Sequence, residues 1–443
     1  MRYPGVISTR HGDTDTKRFT GVCYYDVSTL DFEQSLHDAP IQAWRAKGGR
    51  PTYDMGTATY RSVDSFPFDT HEERIEAIRW LDLHNYGLRY SSSALLDHMM
   101  RRHVKISQLD GVYWGIGLAA VHQGHMSIFR RGQVTYSAIN DIKQAYLNSM
   151  DNVFPPTLSQ PVKLAPDEYP ESKHIVDGWE GVVSAWWSVP KSHAPFIPSN
   201  VTGQVIYPYG EVYSTMTGDM AREAIRQGCE IIEVRRAMAY LWRNSGHHFA
   251  ELADAIRRLP KAIAKPIYTR FFGSMCGTGH YYYSQDMLDA ALEEREDYAP
   301  QTEHYRFHDS VLPWEERTIF TGHEPRSGFR PDIAAAIAAS PAVMVGKELH
   351  RLGEHALLSH VDSVVTDGPT IDDNRWAVKG SGAYIGCGIG NYVCGDKIAT
   401  AGRPVDIPIS TWLDTVSDTA REWRDDGTSE PKKVGRDSYL LKH

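Results

Sequence analysis

Residues 356–368 read ALLSHVDSVVTDG: two apolar pairs, Leu357-Leu358 and Val364-Val365, flank a polar Ser359-His360 and a single acid, Asp362. The pattern predicts a strand, a tight turn and a second strand, with Asp362 at the turn. The stretch before it, PDIAAAIAASPAVMVGKELHRLG (331–353), predicts a helix interrupted near Pro341 and ended by Gly353. A carboxylate at a strand end is a common ligand for a hard cation such as Mg²⁺, which wants fixed oxygen donors. An acid in a hairpin turn is just as readily an ordinary surface residue, and Asp-Ser recurs at 64, 309 and 437.

A second acid of the same kind is Asp141 in TYSAINDIKQAY (135–146), at the end of an apolar strand with Tyr146 five positions on. Its plain alternative is an N-cap for a helix opening at Ile142. Two such acids, distant in sequence, can share a pair of divalent ions about 4 Å apart, the arrangement that serves phosphoryl transfer. A third segment, KAIAKPIYTRFFG (261–273), sets Lys261 and Lys265 on one helix face, with Arg257 and Arg258 just before them. That stripe suits a polyphosphate, although most basic helix faces simply meet solvent.

The chain has 443 residues, a length that predicts two to three domain-sized units. Hydrophobic residues are 41% and charged residues 23%, enough apolar material for a large core and too much for dominant disorder. Lys and Arg number 47 against 56 acids, which argues against a uniformly basic nucleic-acid binder and leaves a local basic groove open. Cysteines 23, 229, 276, 387 and 394 are scattered, as expected of reduced thiols in a cytoplasmic protein. No apolar run is long enough for a membrane span, and the opening MRYPGVISTR lacks the apolar centre of a secretory signal. The histidines and cysteines show no zinc spacing, and Gly380–Gly395 lacks the Lys-Ser/Thr of a P-loop.

Elsewhere the patterning predicts helices over 72–83 and over 91–103, the second capped by Ser91 to Ser93, with a boundary near 105–115. The Pro- and Trp-rich 153–198 reads as an irregular excursion, and 201–235 as strand, helix and strand. In that unit Gly210 breaks the first strand and Gly228 ends the helix GDMAREAIRQG. Residues 245–273 read as two helical pieces, with Ser245 capping the first and Pro266 kinking the second. Residues 277–330 read as an insertion, 412–426 as a helix, and the tail EPKKVGRDS as loose.

Taken in order, the three candidate segments resemble family B DNA polymerases, and within them the compact group of phages and linear plasmids that starts replication from a protein primer. That family's first palm motif is Asp-x-x-Ser-Leu/Ala-Tyr-Pro; Asp141-Ile-Lys-Gln-Ala-Tyr146-Leu keeps the Asp and the Tyr. Its fingers motif is Lys-x-x-x-Asn-Ser-x-Tyr-Gly; Lys265 to Gly273 keeps the Lys and Gly, with Thr269-Arg270 for Asn-Ser and Phe272 for Tyr. Its second palm motif is Tyr-x-Asp-Thr-Asp-Ser; Leu358-Ser-His360-Val361-Asp362-Ser363 keeps the second Asp and the Ser, with His360 at the first Asp. His122-Gln123-Gly124-His125 stands where the family has Tyr-x-Gly-Gly/Ala. Lys379 to Arg403 resembles the palm-to-thumb segment carrying Lys-x-Tyr, with Tyr392 at the Tyr and Gly390 at the Lys.

The resemblance implies an α+β right-hand polymerase: an N-terminal module (1–110), palm (111–235 and 277–375, with the insertion 277–330), short fingers (236–276), and thumb with C-terminal tail (376–443). It implies an antiparallel palm sheet flanked by helices 218–228 and 335–352. Asp141 and Asp362 are then the catalytic acids, holding two Mg²⁺ ions (or Mn²⁺) with the Ile142 backbone carbonyl. Lys265, Tyr146, Thr269, Arg258 and Lys261 face the dNTP, while Tyr392, Lys379, Gly124 and Ser363 face DNA. The implied partners are primer-template DNA, dNTPs and a terminal or other replication protein, with no membrane, in the cytoplasm of a bacterial host if the chain is phage-encoded. About 110 residues are too few for a complete exonuclease domain, so no 3′–5′ proofreading is expected. Two other readings stay open: a polymerase-derived nucleic-acid-binding scaffold that has lost catalysis, and a template-independent or protein-directed nucleotidyltransferase. His11-Gly-Asp13-Thr-Asp15-Thr is closer to the second palm motif in letters, but lacks apolar strand flanks and reads as a polar loop.

Overall fold

The computed structural model describes residues 80, 83–84, 92–122, 124–152, 154–199, 205–240, 245–276, 278–283, 308–311, 318–325, 328–368, 370–400 and 421–436. The segment at 11–16 and most of the helix expected over 72–83 lie outside these residues. The helices are, in chain order, α1 (Ser92–His103), α2 (Trp114–Ala119), α3 (Ala145–Ser149), α4 (Ser172–Val176), α5 (Gly218–Arg226), α6 (Ala250–Arg257), α7 (Lys261–Cys276) and α8 (Pro331–Leu352). The chain divides into two compact units, Met1–Ile106 with His247–Ser274, and Ser107–Gly246 with Met275–His443.

In the first unit α1 packs on α6, and Leu95 and Leu96 of α1 and Leu252 and Ile256 of α6 are buried. Helix α6 opens at Ala250 behind Phe249, not at the expected Ser245 cap. Helix α7 runs unbroken through Pro266. Ile263, Ile267 and Phe271 are buried, while Lys261, Lys265 and Thr269 are exposed, so the four-residue spacing does place these three on one outward face.

The second unit contains the sheet that carries both candidate acids. Its strands are β1 (His125–Ile128), β2 (Gly132–Ile142), β10 (Ala356–Val361), β11 (Ser363–Thr366), β12 (Trp376–Gly388), β13 (Asn391–Cys394) and β14 (Lys397–Thr400), paired antiparallel in the order β1-β10-β11-β2-β12-β13-β14. The strand–turn–strand reading of 356–366 is therefore correct. A second sheet, ordered β17-β5-β4-β6-β3, comprises β3 (Val162–Lys163), β4 (Gly181–Val189), β5 (Tyr209–Thr217), β6 (Glu230–Ala239) and β17 (Lys433–Val434). Strands β7 (Thr278–Tyr283), β9 (Thr318–Pro325) and β8 (His308–Val311) form a third, within the stretch read as an insertion. A short hairpin, β15 (Arg421–Trp423) with β16 (Ser429–Pro431), completes the strands.

Several further expectations need correction. Residues 153–198 are not irregular: β4 is the middle strand of the second sheet, burying Val183, Ala185, Trp187 and Val189 on one face. The strand is buried on both faces along most of its length, with Val182 in a separate core and Ser184 also buried, and pairing with β5 and β6 decided it. The tail is not helical at 421–423 and not loose at 430–434, because β15 and β16 pair with each other as a hairpin and β17 pairs with the distant strand β5. Strand β5 continues through Gly210, whose φ of 102° lets the Val434 carbonyl lie where a side chain would start. Helix α8 is continuous through Pro341, and of the two flanking helices expected for the site sheet α8 packs on its strands β1, β10 and β11, whereas α5 packs mainly on β4 and β5 of the second sheet.

Helix α8 explains why the two sheets belong together. Ala339 and Ala342 enter the core formed by β4, β5, β6 and α5, whereas Val345, Leu349 and Leu352 enter the core with Phe129, Ile142, Val364 and Trp376. Its N-terminus is anchored by a fully buried ion pair: Arg330 donates to both Asp332 oxygens at 2.9 and 2.8 Å and to the Thr157 carbonyl, and Tyr240 donates to Asp332. Removing one partner of such a pair leaves a charge with no water to solvate it. Asp332→Asn should lower the unfolding free energy by about 3–5 kcal/mol, read as a reduced urea midpoint, whereas Asp426→Asn on the exposed hairpin should leave the midpoint near that of the parent.

Candidate active site

The register places the two acids side by side. On neighbouring strands Asp141 pairs with Ser363, and the Ile142 amide donates to the Asp362 carbonyl at 2.9 Å. Cross-strand Cα atoms lie about 5 Å apart and consecutive ones 3.8 Å, so the two acids' Cα atoms are within about 9 Å. Asp141 belongs to β2, not to a helix cap, because its strand is paired on both edges, by β11 and by β12. Asp362 is the second residue of a two-residue turn closed by the His360–Ser363 pair. The Ser363 hydroxyl donates to the His360 carbonyl and braces that turn.

Several side chains singled out from the sequence converge on this corner. Lys379 Nζ lies 3.6 Å from Asp141 Oδ1. Tyr146, on α3, has its phenol pushed up to about 12, first by burial and then by the charge of Asp362. Burial also raises the Tyr392 phenol, as do Cys394 and then both Asp141 and Asp362. Burial lowers the pKa of the His360 imidazole on the other side of the turn. By contrast Arg258, Lys261, Lys265 and Thr269 belong to the other compact unit.

Two carboxylates and the neighbouring Ile142 carbonyl are hard oxygen donors that suit Mg²⁺ or Mn²⁺. Among the described residues no group of three or more His, Cys, Asp and Glu is arranged to hold a metal. The remaining donors would therefore come from substrate phosphate and water, as is usual for Mg²⁺.

Two supports escaped the sequence reading. Asn140 is fully buried; it accepts from the Ile371 amide at 3.0 Å and donates to Thr366 Oγ1, pinning the end of β2. Behind the hairpin, His125 stacks on Tyr207 at 3.7 Å, accepts from Ser359 Oγ and donates to the Pro195 carbonyl, while Tyr207 donates to the Gly124 carbonyl. Each contact spans more than 60 residues of chain, so no local signal reveals it.

The architecture is that of a polymerase-like mixed helix–strand fold. It is similar to solved structures of the DNA polymerase of phage phi29. With that enzyme complexed with single-stranded DNA the TM-score is 0.53 at 11% identity, covering 81% of this chain and 69% of the other. With its ternary complex of primer-template DNA and incoming nucleotide substrates the TM-score is 0.51 at 11% identity, covering 82% and 70%. At this identity the likeness is one of fold. No family model matches the sequence, and no curated protein matches it.

His125 sets a pH response for this region. Burial holds its imidazole down at about 3, against 6.5 when exposed. A depressed folded value means stability is complete above about pH 6.5 and is lost as pH falls towards 3, amounting to about 2 kcal/mol by pH 5. Denaturant unfolding at pH 7.5 and pH 5 should show that loss in the parent and a loss smaller by about that amount in His125→Gln.

Proposed function

We propose that the chain is a template-directed DNA polymerase that transfers nucleotides from dNTPs to a primer 3′-hydroxyl, with Asp141 and Asp362 as its two catalytic acids. The observation that carries this reading is the strand register. It joins two acids 221 positions apart in sequence at one sheet end, in a fold similar to that of a DNA polymerase. In this reading the palm is 111–235 and 277–375, the fingers 236–276 and the thumb 376–443. Asp141, Asp362 and the Ile142 carbonyl would hold two Mg²⁺ ions. Bound there, the ions supply charge neutralisation at the attacking hydroxyl and at the leaving pyrophosphate.

The chain's own side chains do the rest. Lys265, with Lys261, Thr269 and Arg258, neutralises and orients the triphosphate. Tyr146, kept protonated at physiological pH, offers a phenol ring under the sugar and excludes a 2′-hydroxyl. Tyr392, Lys379 and Ser363 meet the primer-template, and a terminal or other replication protein is the proposed source of priming. Mn²⁺ serves in place of Mg²⁺.

Two observations favour the scaffold alternative: Lys379 pairs with Asp141, and His360 stands where a further acid would serve. Primer extension with and without template separates the readings. Template-dependent incorporation should fall at least about 1,000-fold in Asp141→Asn and in Asp362→Asn, with primer-template affinity in EDTA kept. Full incorporation by Asp362→Asn would reject every catalytic reading, and incorporation without template would favour the template-independent one.

Lys265→Ala should raise the KM for dNTPs about tenfold or more, because a charge on the triphosphate is lost. With a mismatched 3′ end, Mg²⁺ and no dNTPs, no terminal nucleotide should be released. Release that persists in Asp141→Ala would reveal a separate nuclease.

A further inference from the structure

We infer that Gly124 is a positioning residue for Asp362: its bare backbone presses on the Val361 carbonyl and holds residue 361 in the left-handed conformation that delivers Asp362 to the sheet end. The inference rests on the polymerase reading above and deepens it.

Val361 has φ of 60°, and in the described backbone only one other non-glycine residue, Gln144 at 46°, has positive φ. The first lies immediately before Asp362 and the second three residues after Asp141. A β-branched residue in this region is a steric outlier, and such strain persists only where the surroundings over-determine it. Gly124, itself at φ of 38°, supplies that determination. A Cβ there would lie 2.2 Å from the Val361 carbonyl oxygen, 2.8 Å from its carbon and 3.0 Å from its Cα.

These are backbone atoms, and the segments on both sides of the contact are held in place. The Gly124 carbonyl is fixed by Tyr207 at 2.9 Å, and Tyr207 is stacked on His125, which is tied to Ser359 and Pro195. Across the contact, the hairpin is fixed by the His360–Ser363 and His125–Val361 pairs and by the Ile142 amide on the Asp362 carbonyl. An added methyl at 124 therefore has one outlet, rotation of residue 361, which carries Asp362 away from Asp141. This role differs from a DNA contact at Gly124, which the resemblance alone implies.

The test uses the full chain, with Mn²⁺ affinity read by electron paramagnetic resonance, affinity for a fluorescent primer-template read in EDTA, and single-turnover incorporation. Gly124→Ala should weaken Mn²⁺ binding and slow incorporation about tenfold or more, with primer-template affinity within about twofold of the parent. In Gly124→Ala/Val361→Gly, where residue 361 can turn its carbonyl aside without steric cost, Mn²⁺ binding should return to within about threefold of the parent. If Gly124→Ala does not fold, recovery of folding and Mn²⁺ binding in the double variant supports the inference equally. Loss of DNA affinity with Mn²⁺ binding intact overturns it, as does a double variant that fails to recover. A parent without incorporation, or an Asp362→Asn protein with unchanged Mn²⁺ binding, would instead overturn the polymerase reading itself.

Discussion

Two sheets share one helix. Helix α8 buries Ala339 and Ala342 against the second sheet and Val345, Leu349 and Leu352 against the sheet that carries Asp141 and Asp362. Small residues permit the close approach on one side; at Gly346 a Cβ would lie 2.3 Å from the Phe196 ring. The Arg330–Asp332 pair sits at the start of this helix with no exposure of either side chain. Its value lies in specificity of placement: an unpaired charge at either position is so costly that the helix start has one satisfactory location.

From that frame the candidate site follows by register. Strand β2 ends at Asp141–Ile142, and β11 begins just after Asp362, so the acids meet because β2 and β11 are neighbours. Around them the protein combines exposed charge with buried phenols. Asp141 keeps 28% of its side chain exposed, beside the ammonium of Lys379. A half-exposed pair of this kind contributes little stability and can be exchanged for another cation at small cost. Burial and the nearby carboxylates raise the pKa of both the Tyr146 and the Tyr392 phenol, so two neutral rings stand beside the Asp141–Lys379 pair.

How much was legible depended on whether the deciding contacts were local. The hairpin over 356–366, the helix over 331–352 and the helix α1 follow from period and punctuation, and the structure has them. Pro341 misled because the loss of one helical hydrogen bond is smaller than the burial of Ala339, Ala342 and Val345 on either side. Strand β4 was hidden because the prolines on its flanks outweighed its own Val183-Ala185-Trp187-Val189 row. The strands β15, β16 and β17 have almost no pattern of their own. Three residues or fewer become strand only when a partner such as Tyr209–Gly210 supplies the hydrogen bonds.

By itself the sequence determined the apolar period of each long element, the acid at each of two strand ends, and the basic stripe of Lys261 and Lys265, because these depend on neighbours within a few positions. Only the tertiary structure decided that Asp141 lies opposite Ser363, that Lys379 answers its charge, and that Gly124 backs onto Val361. Those contacts join residues more than 200 apart in the chain. They exist because strand pairing and the shared burial on α8 bring distant segments to one place, and no short-range preference encodes that meeting.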